Sequence, residues 1–211
     1  MTAVGLLGGS FNPAHAGHRH ISLQAMRLLG LDEVWWLVSP QNPLKDHAGM
    51  APHGVRIAAA RALARHPRVH VSGIEAELDT RFAVDTVRAL QRRYPKTRFI
   101  WLIGADNLIQ LHRWKAWRQL AHAVPIAVLA RPGYIKGGLR SPAMAWFRRW
   151  RRRASDAGAW RDWKLPAIVM LDIRLSPLSA TQRRARDPDW ARKFERTSRS
   201  DKEETSLRTM F

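Results

Sequence analysis

Val4–Gly30 reads VGLLGGSFNPAHAGHRHISLQAMRLLG. An unbroken apolar run enters a loop rich in glycine, asparagine and proline. An apolar-periodic stretch leaves that loop and stops at Gly30. This pattern predicts a buried strand turning into a helix, because a strand covered on both faces shows no polar alternation. Gly8 and Gly9 are expected to let the backbone turn sharply and approach a ligand with no Cβ in the way. Gly17 stands at the helix start, where free N–H groups and the helix dipole make an anion site. His15 in the loop and His18 in the first turn can both donate hydrogen bonds to that anion.

The alternation continues outward. EVWWLVS, RVHVSG, RFIWLIGAD, PIAVLARPG and AIVMLDI read as further strands. Helices are expected from about His53 to His66 and in AVDTVRALQRRY, WKAWRQLAHA and SPLSATQRRAR. Together they predict the α/β class: a doubly wound parallel sheet with helices on both faces and a small C-terminal helical part. Lys136 to Pro166 reads as a basic insert between strands five and six, residues 1–195 as a single domain, and the polar stretch 196–211 as a flexible tail. Ligands of open parallel sheets bind beyond the carboxyl ends of the strands. SFNPAHAGH, PQNPLK, GAD, ARPG and SPLSATQRR are therefore expected to converge on one rim.

Composition bounds the partners. The 211 residues are 45% hydrophobic, enough for a real core, and contain no cysteine, which excludes disulfides and thiolate metal sites. No apolar run approaches the ~20 residues of a membrane span, and no secretory leader is legible, so a cytoplasmic protein without a membrane partner is expected. The net charge of +19 predicts attraction to polyanions. Ten basic residues lie between Arg131 and Lys164, opposed only by Asp156 and Asp162. WFRRWRRR is either a solvated face or a non-specific polyanion site. Its Trp146, Phe147 and Trp150 have the spacing to dock a helix on the body. Deleting residues 144–153 is expected to separate polyanion binding from catalysis.

Several chemistries are disfavoured at the opening motif. The Gly-Lys-Ser/Thr of a P-loop is missing, and GLLGGSFN does not match G-x-G-x-x-G. A metal cluster of His15, His18 and His20 would lack a nearby carboxylate, and Ser10 has no Ser-His-Asp context. Two histidines packing at a helix start remain an alternative. With Lys45 and Arg184 brought from other loops, the set suits polyphosphate.

GGSFNPAHAGH resembles the H-x-G-H signature of the nucleotidyltransferase superfamily. SPQNPLK, IGADNL, RW, ARPGY and LSATQRR follow in the order seen in bacterial nicotinate-nucleotide adenylyltransferases, from about Val4 to Arg186. The resemblance implies a Rossmann-like nucleotidyltransferase fold and the joining of ATP to nicotinate mononucleotide, with Mg²⁺, to give nicotinate adenine dinucleotide and pyrophosphate. It implies catalytic roles for His15 and His18. ATP contacts are implied for Gly9, Ser10, Phe11, Gly17, Gly104, Asp106, Arg131, Ser179, Thr181 and Arg184, with Asp106 near either the ribose or the metal. Lys45, Thr86 and Trp114 are implied for nicotinate mononucleotide, with helix-start N–H groups near Thr86 suiting the nicotinate carboxylate. Trp117 reads as core.

Asn12 replaces the acidic residue usual in this family, and Arg183 replaces an apolar one, leaving open which of Arg183 and Arg184 faces phosphate. The alternatives are an adenylyltransferase for nicotinamide mononucleotide or pantetheine phosphate, or a basic nucleic-acid-binding protein. An oligomer is compatible with the sequence.

Overall fold

The computed structural model describes residues 1–40, 49–129, 134–173 and 180–195, apart from the side chains of 181–183. Among the described residues seven strands form one sheet: β1 (Thr2–Gly9), β2 (Glu33–Val38), β3 (Val69–Ser72), β4 (Thr97–Gly104), β5 (Ile126–Leu129), β6 (Arg151–Arg152) and β7 (Ile168–Leu171). Their order is β3-β2-β1-β4-β5-β7-β6, and every pairing is parallel. The chain reverses its winding between β1 and β4, which places a ligand crevice outside their carboxyl ends.

The helices are α1 (Ala16–Leu29), α2 (His53–Ala64), α3 (Ile74–Glu77), α4 (Ala83–Arg93), α5 (Ala105–Gln110), α6 (Trp117–Ala123), α7 (Ile135–Leu139), α8 (Pro142–Phe147) and α9 (Ala180–Arg186). Strand residues alternate between two cores, as a period-two backbone dictates. Ala3, Leu7, Ile100 and Leu102 pack with α1 and α2, while Val4, Leu6, Trp101 and Ile103 pack with α4, α5, α6 and α8. Both faces of the sheet are therefore covered. Among the described residues no helix is long and apolar enough to cross a membrane.

Three expectations about elements are corrected. The helix expected to reach His66 ends at Ala64, because Arg65 takes a left-handed conformation at φ 35° and ψ 49°. GAD, expected at a strand end, opens α5: β4 stops at Gly104, which is the N-cap. The insert contributes β6, a seventh strand that none of its residues announces. It lies parallel to β7 on the sheet edge, pairing Arg151 with Ile168 and Arg152 with Val169.

The insert is also not a detachable arm. Met144 and Phe147 are buried, and Trp146 meets Trp117 and Phe147 edge-on. The aromatic residues thus dock α8 on the body, and Trp117 is core as expected. Deleting 144–153 would remove core and an edge strand together, so it cannot separate binding from catalysis. The charges themselves sit outside: Arg148, Arg149, Arg151 and Arg153 are exposed. The insert further reaches the far end of α1, where the Trp160 indole N–H donates to Leu29 O at 2.9 Å and Arg161 donates to Gly30 O at 2.7 Å.

Candidate active site

β1 delivers the chain to the crevice. Neither Gly8 nor Gly9 makes the turn, since neither has a positive φ; that conformation falls on Phe11, at φ 45°. The glycines serve packing instead. A Cβ on Gly8 would stand 3.0 Å from the Trp101 indole, and one on Gly9 would be 3.5 Å from the Phe11 ring. Phe11 is buried, stacked on Trp36 at 5.2 Å and tilted against His18 at 4.6 Å.

The two histidines meet at the start of α1. His15 is the N-cap, in extended conformation, and only 5% exposed. His18 N–H donates to His15 O at 2.8 Å, and His15 N–H donates to His18 Nδ1 at 3.1 Å. The rings stand 3.9 Å apart. An acceptor Nδ1 requires the neutral imidazole with its proton on Nε2, so His18 presents Nε2–H as a donor. Gly17 is buried beside them, and the first turn of α1 carries no acidic residue. The helix end therefore keeps its positive character.

Other elements close on this loop. Arg184 of α9 donates from Nη1 to Asn12 O at 2.6 Å. Asn12 Nδ2–H donates to Gly49 O at 2.9 Å, and Ala51 N–H donates to Asn12 Oδ1 at 3.1 Å. An aspartate here would keep the acceptor and lose the donor, so the departure from the family pattern has a local use. Among the described residues there is no group of three or more His, Asp or Glu that could hold a metal ion.

Three functional candidates carry no local signal in the sequence. Arg56, on an alanine-rich helix, is 1% exposed and donates to four carbonyl oxygens. Burial pulls its pKa below the ordinary guanidinium value. His53 Nε2–H donates to Val38 O at 2.8 Å, and burial holds that imidazole below its ordinary pKa. Glu75, also buried, accepts from the Thr86 hydroxyl at 3.2 Å and from Ser39.

Residues 6–186 match the cytidylyltransferase-like family. The "probable nicotinate-nucleotide adenylyltransferase" of Erythrobacter litoralis is 54% identical over 191 residues, 90% of this chain and 87% of that one. A protein of the same name from Parvibaculum lavamentivorans is 54% identical, with 87% of this chain and 91% of that one covered. The chain belongs to the nicotinate-nucleotide adenylyltransferase family. A solved structure titled Plasmodium falciparum nicotinic acid mononucleotide adenylyltransferase complexed with NaAD superposes with a TM-score of 0.66. It covers 88% of this chain and 83% of its own and is 13% identical, a likeness of fold.

In this adenylyltransferase the remaining expected site residues are distributed as follows. Gly104 and Asp106 lie at the carboxyl end of β4, next to β1. Trp114 is half-buried after the short 3₁₀ turn Leu111–Arg113. Thr86 is wholly buried one turn inside α4; its N–H donates to Phe82 O, and its hydroxyl is bonded to Glu75 and lies near Thr80. The helix-start N–H groups expected near it belong to Ala83 and Val84 instead. Lys45, Arg131 and Ser179, the side chains of Thr181 and Arg183, and the tail 196–211 lie outside the described residues.

Glu75 yields a pH-dependent expectation. Burial raises its pKa, and the hydroxyls of Ser39 and Thr86 offset only part of the rise. Between the ordinary carboxylate value and this raised one, the folded protein holds a proton that the unfolded chain has released. Its contribution to stability therefore falls as pH rises through that window. Glu75→Gln keeps an acceptor and removes the titration. Its melting temperature should gain on the parent most near neutral pH and least in the acidic carboxylate range. A gap independent of pH would contradict the assignment.

Proposed function

We propose that this protein joins ATP and nicotinate mononucleotide to give nicotinate adenine dinucleotide and pyrophosphate, a step of NAD biosynthesis. The observation that carries the reading is the His15–His18 pair, with its fixed Nε2–H donor, at the acid-free start of α1. The relatives' shared name and the nicotinate dinucleotide in the Plasmodium structure's title support the choice of substrates.

The mononucleotide phosphate is already an anion, so no strong general base is needed. The barrier is alignment of two polyanions and neutralisation of their charge. The phosphate attacks the α-phosphorus of ATP in line, and the bond to the pyrophosphate oxygen breaks. His15 and His18 donate to the α- and β-phosphate oxygens and stabilise the charge that develops there. Gly9, Ser10 and Phe11 offer backbone N–H groups, Gly17 allows close approach, and Arg184, with Ser179 and Thr181, grips the leaving pyrophosphate. Arg131 and Gly104 serve the nucleoside side. Lys45 meets the mononucleotide phosphate, and Trp114 stacks on the nicotinate ring. Thr86, given its buried hydroxyl, acts by bracing the start of α4 beside the nicotinate carboxylate.

Mg²⁺ suits this donor set, since it keeps waters and phosphate oxygens as ligands and needs few from the protein. Asp106, on the first turn of α5, is the side chain that would reach it or the ribose. When bound, Mg²⁺ would neutralise charge on the β- and γ-phosphate oxygens. The single continuous sheet supports one domain over residues 1–195.

Purified protein with Mg²⁺ should release pyrophosphate only when ATP and nicotinate mononucleotide are both present. Faster turnover with nicotinamide mononucleotide or pantetheine phosphate would overturn the substrate assignment.

A further inference from the structure

Among the described residues Arg56 is the most deeply buried basic side chain, 1% exposed, and the reaction above gives it no part. Its guanidinium uses four donor directions on four carbonyl oxygens. Nη1 donates to Ser10 O at 2.6 Å and Ser39 O at 2.8 Å, Nη2 to Pro40 O at 2.8 Å, and Nε to Ala51 O at 2.9 Å. Ser10 follows β1, Ser39 and Pro40 follow β2, and Ala51 precedes α2, so one side chain draws three rim segments together. Only a planar fork does this; a lysine ammonium has three donors radiating from one point.

The bond to Ser10 has a geometric consequence. The Ser10–Phe11 peptide is trans, because the cis bonds lie at Asn12-Pro13 and Leu165-Pro166. In a planar trans peptide the C=O and N–H point in opposite directions. Holding Ser10 O on the buried Arg56 guanidinium therefore turns Phe11 N–H to the opposite side of the peptide, away from Arg56. Among the described residues Phe11 N–H donates to no other backbone group. The left-handed φ of Phe11 is kept in place by the same fork below and by the Trp36 stack beside it.

We propose that Arg56 is a positioning residue for triphosphate binding, which fixes the Ser10–Phe11 peptide so that Phe11 N–H is presented to an ATP phosphate oxygen. It acts through the backbone and touches no substrate. The proposal rests on the adenylyltransferase reading and adds to it a residue outside the H-x-G-H motif. Arg56 also leaves a buried positive charge beneath the phosphate loops, favouring a polyanion above them.

The test compares the parent with R56K, which keeps the charge and loses the fork. Binding of α,β-methylene-ATP and of adenosine is measured by calorimetry, alongside turnover and thermal melting. R56K should weaken the triphosphate by about tenfold or more, as misplaced phosphate contacts do. It should leave adenosine within about twofold, since the fork lies under the phosphates. Equal losses for both ligands, or no loss for either, would overturn the proposal. Should R56K fail to fold, R56Q, with a planar two-donor head, takes its place in the same comparison. In the parent, the Phe11 amide resonance should move downfield when α,β-methylene-ATP is added; an unmoved resonance overturns the proposal whatever the variants do. A parent that binds neither nucleotide and releases no pyrophosphate would overturn the adenylyltransferase reading with it, whereas an active parent matched by an unaffected R56K overturns this inference alone.

Discussion

His18→Ala should lower kcat by about 10²–10³-fold, the usual cost of removing one preorganised donor from a developing charge. The expectation follows from the hydrogen bond at Nδ1. His15 N–H occupies that nitrogen, so Nε2–H is the donor that the ring can offer to an oxyanion. The same variant loses a contact at the N-cap, which costs about 0.5–2 kcal/mol of stability. At about 2–4 °C per kcal/mol for a chain of this size, the melting temperature should fall by only a few degrees. Activity and stability are thus expected to move by very different amounts. Steady-state turnover with both substrates saturating, beside a thermal melt, separates them. His18→Gln should recover part of the rate, because its amide can donate where Nε2–H does. Near-normal turnover in His18→Ala would remove the histidine from the mechanism and leave the pair as a packed helix start.

The parts legible in the sequence are those with a local signature. The strands of a covered parallel sheet are continuous apolar runs, so β1, β2, β4 and β5 announce themselves, and the windings between them follow from the helices. The His15–Gly17–His18 spacing is equally local. β6 is different: Arg151 and Arg152 have no apolar pattern, and only the neighbouring edge of β7 makes them a strand. Gly8 and Gly9 misled because glycine reads as a turn, while here it leaves room for Trp101 and Phe11, and Phe11 itself takes the left-handed conformation. Arg56 and Glu75 read as ordinary charged helix residues. Their roles depend on carbonyls and hydroxyls from segments far apart in the chain, which meet only in the folded protein.

Trp160→Ala should destabilise the fold by about 3–5 kcal/mol, the cost of truncating a buried tryptophan. Trp160 is 2% exposed, belongs to the core that includes Leu29 and Leu31, and donates its indole N–H to Leu29 O. That oxygen is one of the carbonyls a helix C-terminus leaves without an internal partner. α1 already ends on Gly30 in the left-handed conformation, with its N–H donated to Met26 O, and the insert completes the cap through Trp160 and Arg161. The melting temperature should therefore drop by about 6–20 °C at the slope expected for this length. Trp160→Phe keeps most of the apolar contact and strips the donor, so about 1–3 kcal/mol should be lost. His15 and His18 stand at the opposite end of α1, about 17–21 Å away at 1.5 Å per residue. Below its melting transition Trp160→Phe should consequently turn over at the parent rate. A large drop in kcat with an unchanged melting temperature would mean that the insert acts on the histidines through the helix. The expected pattern, lost stability with retained turnover, would assign the insert the work of fastening α1 to the sheet edge.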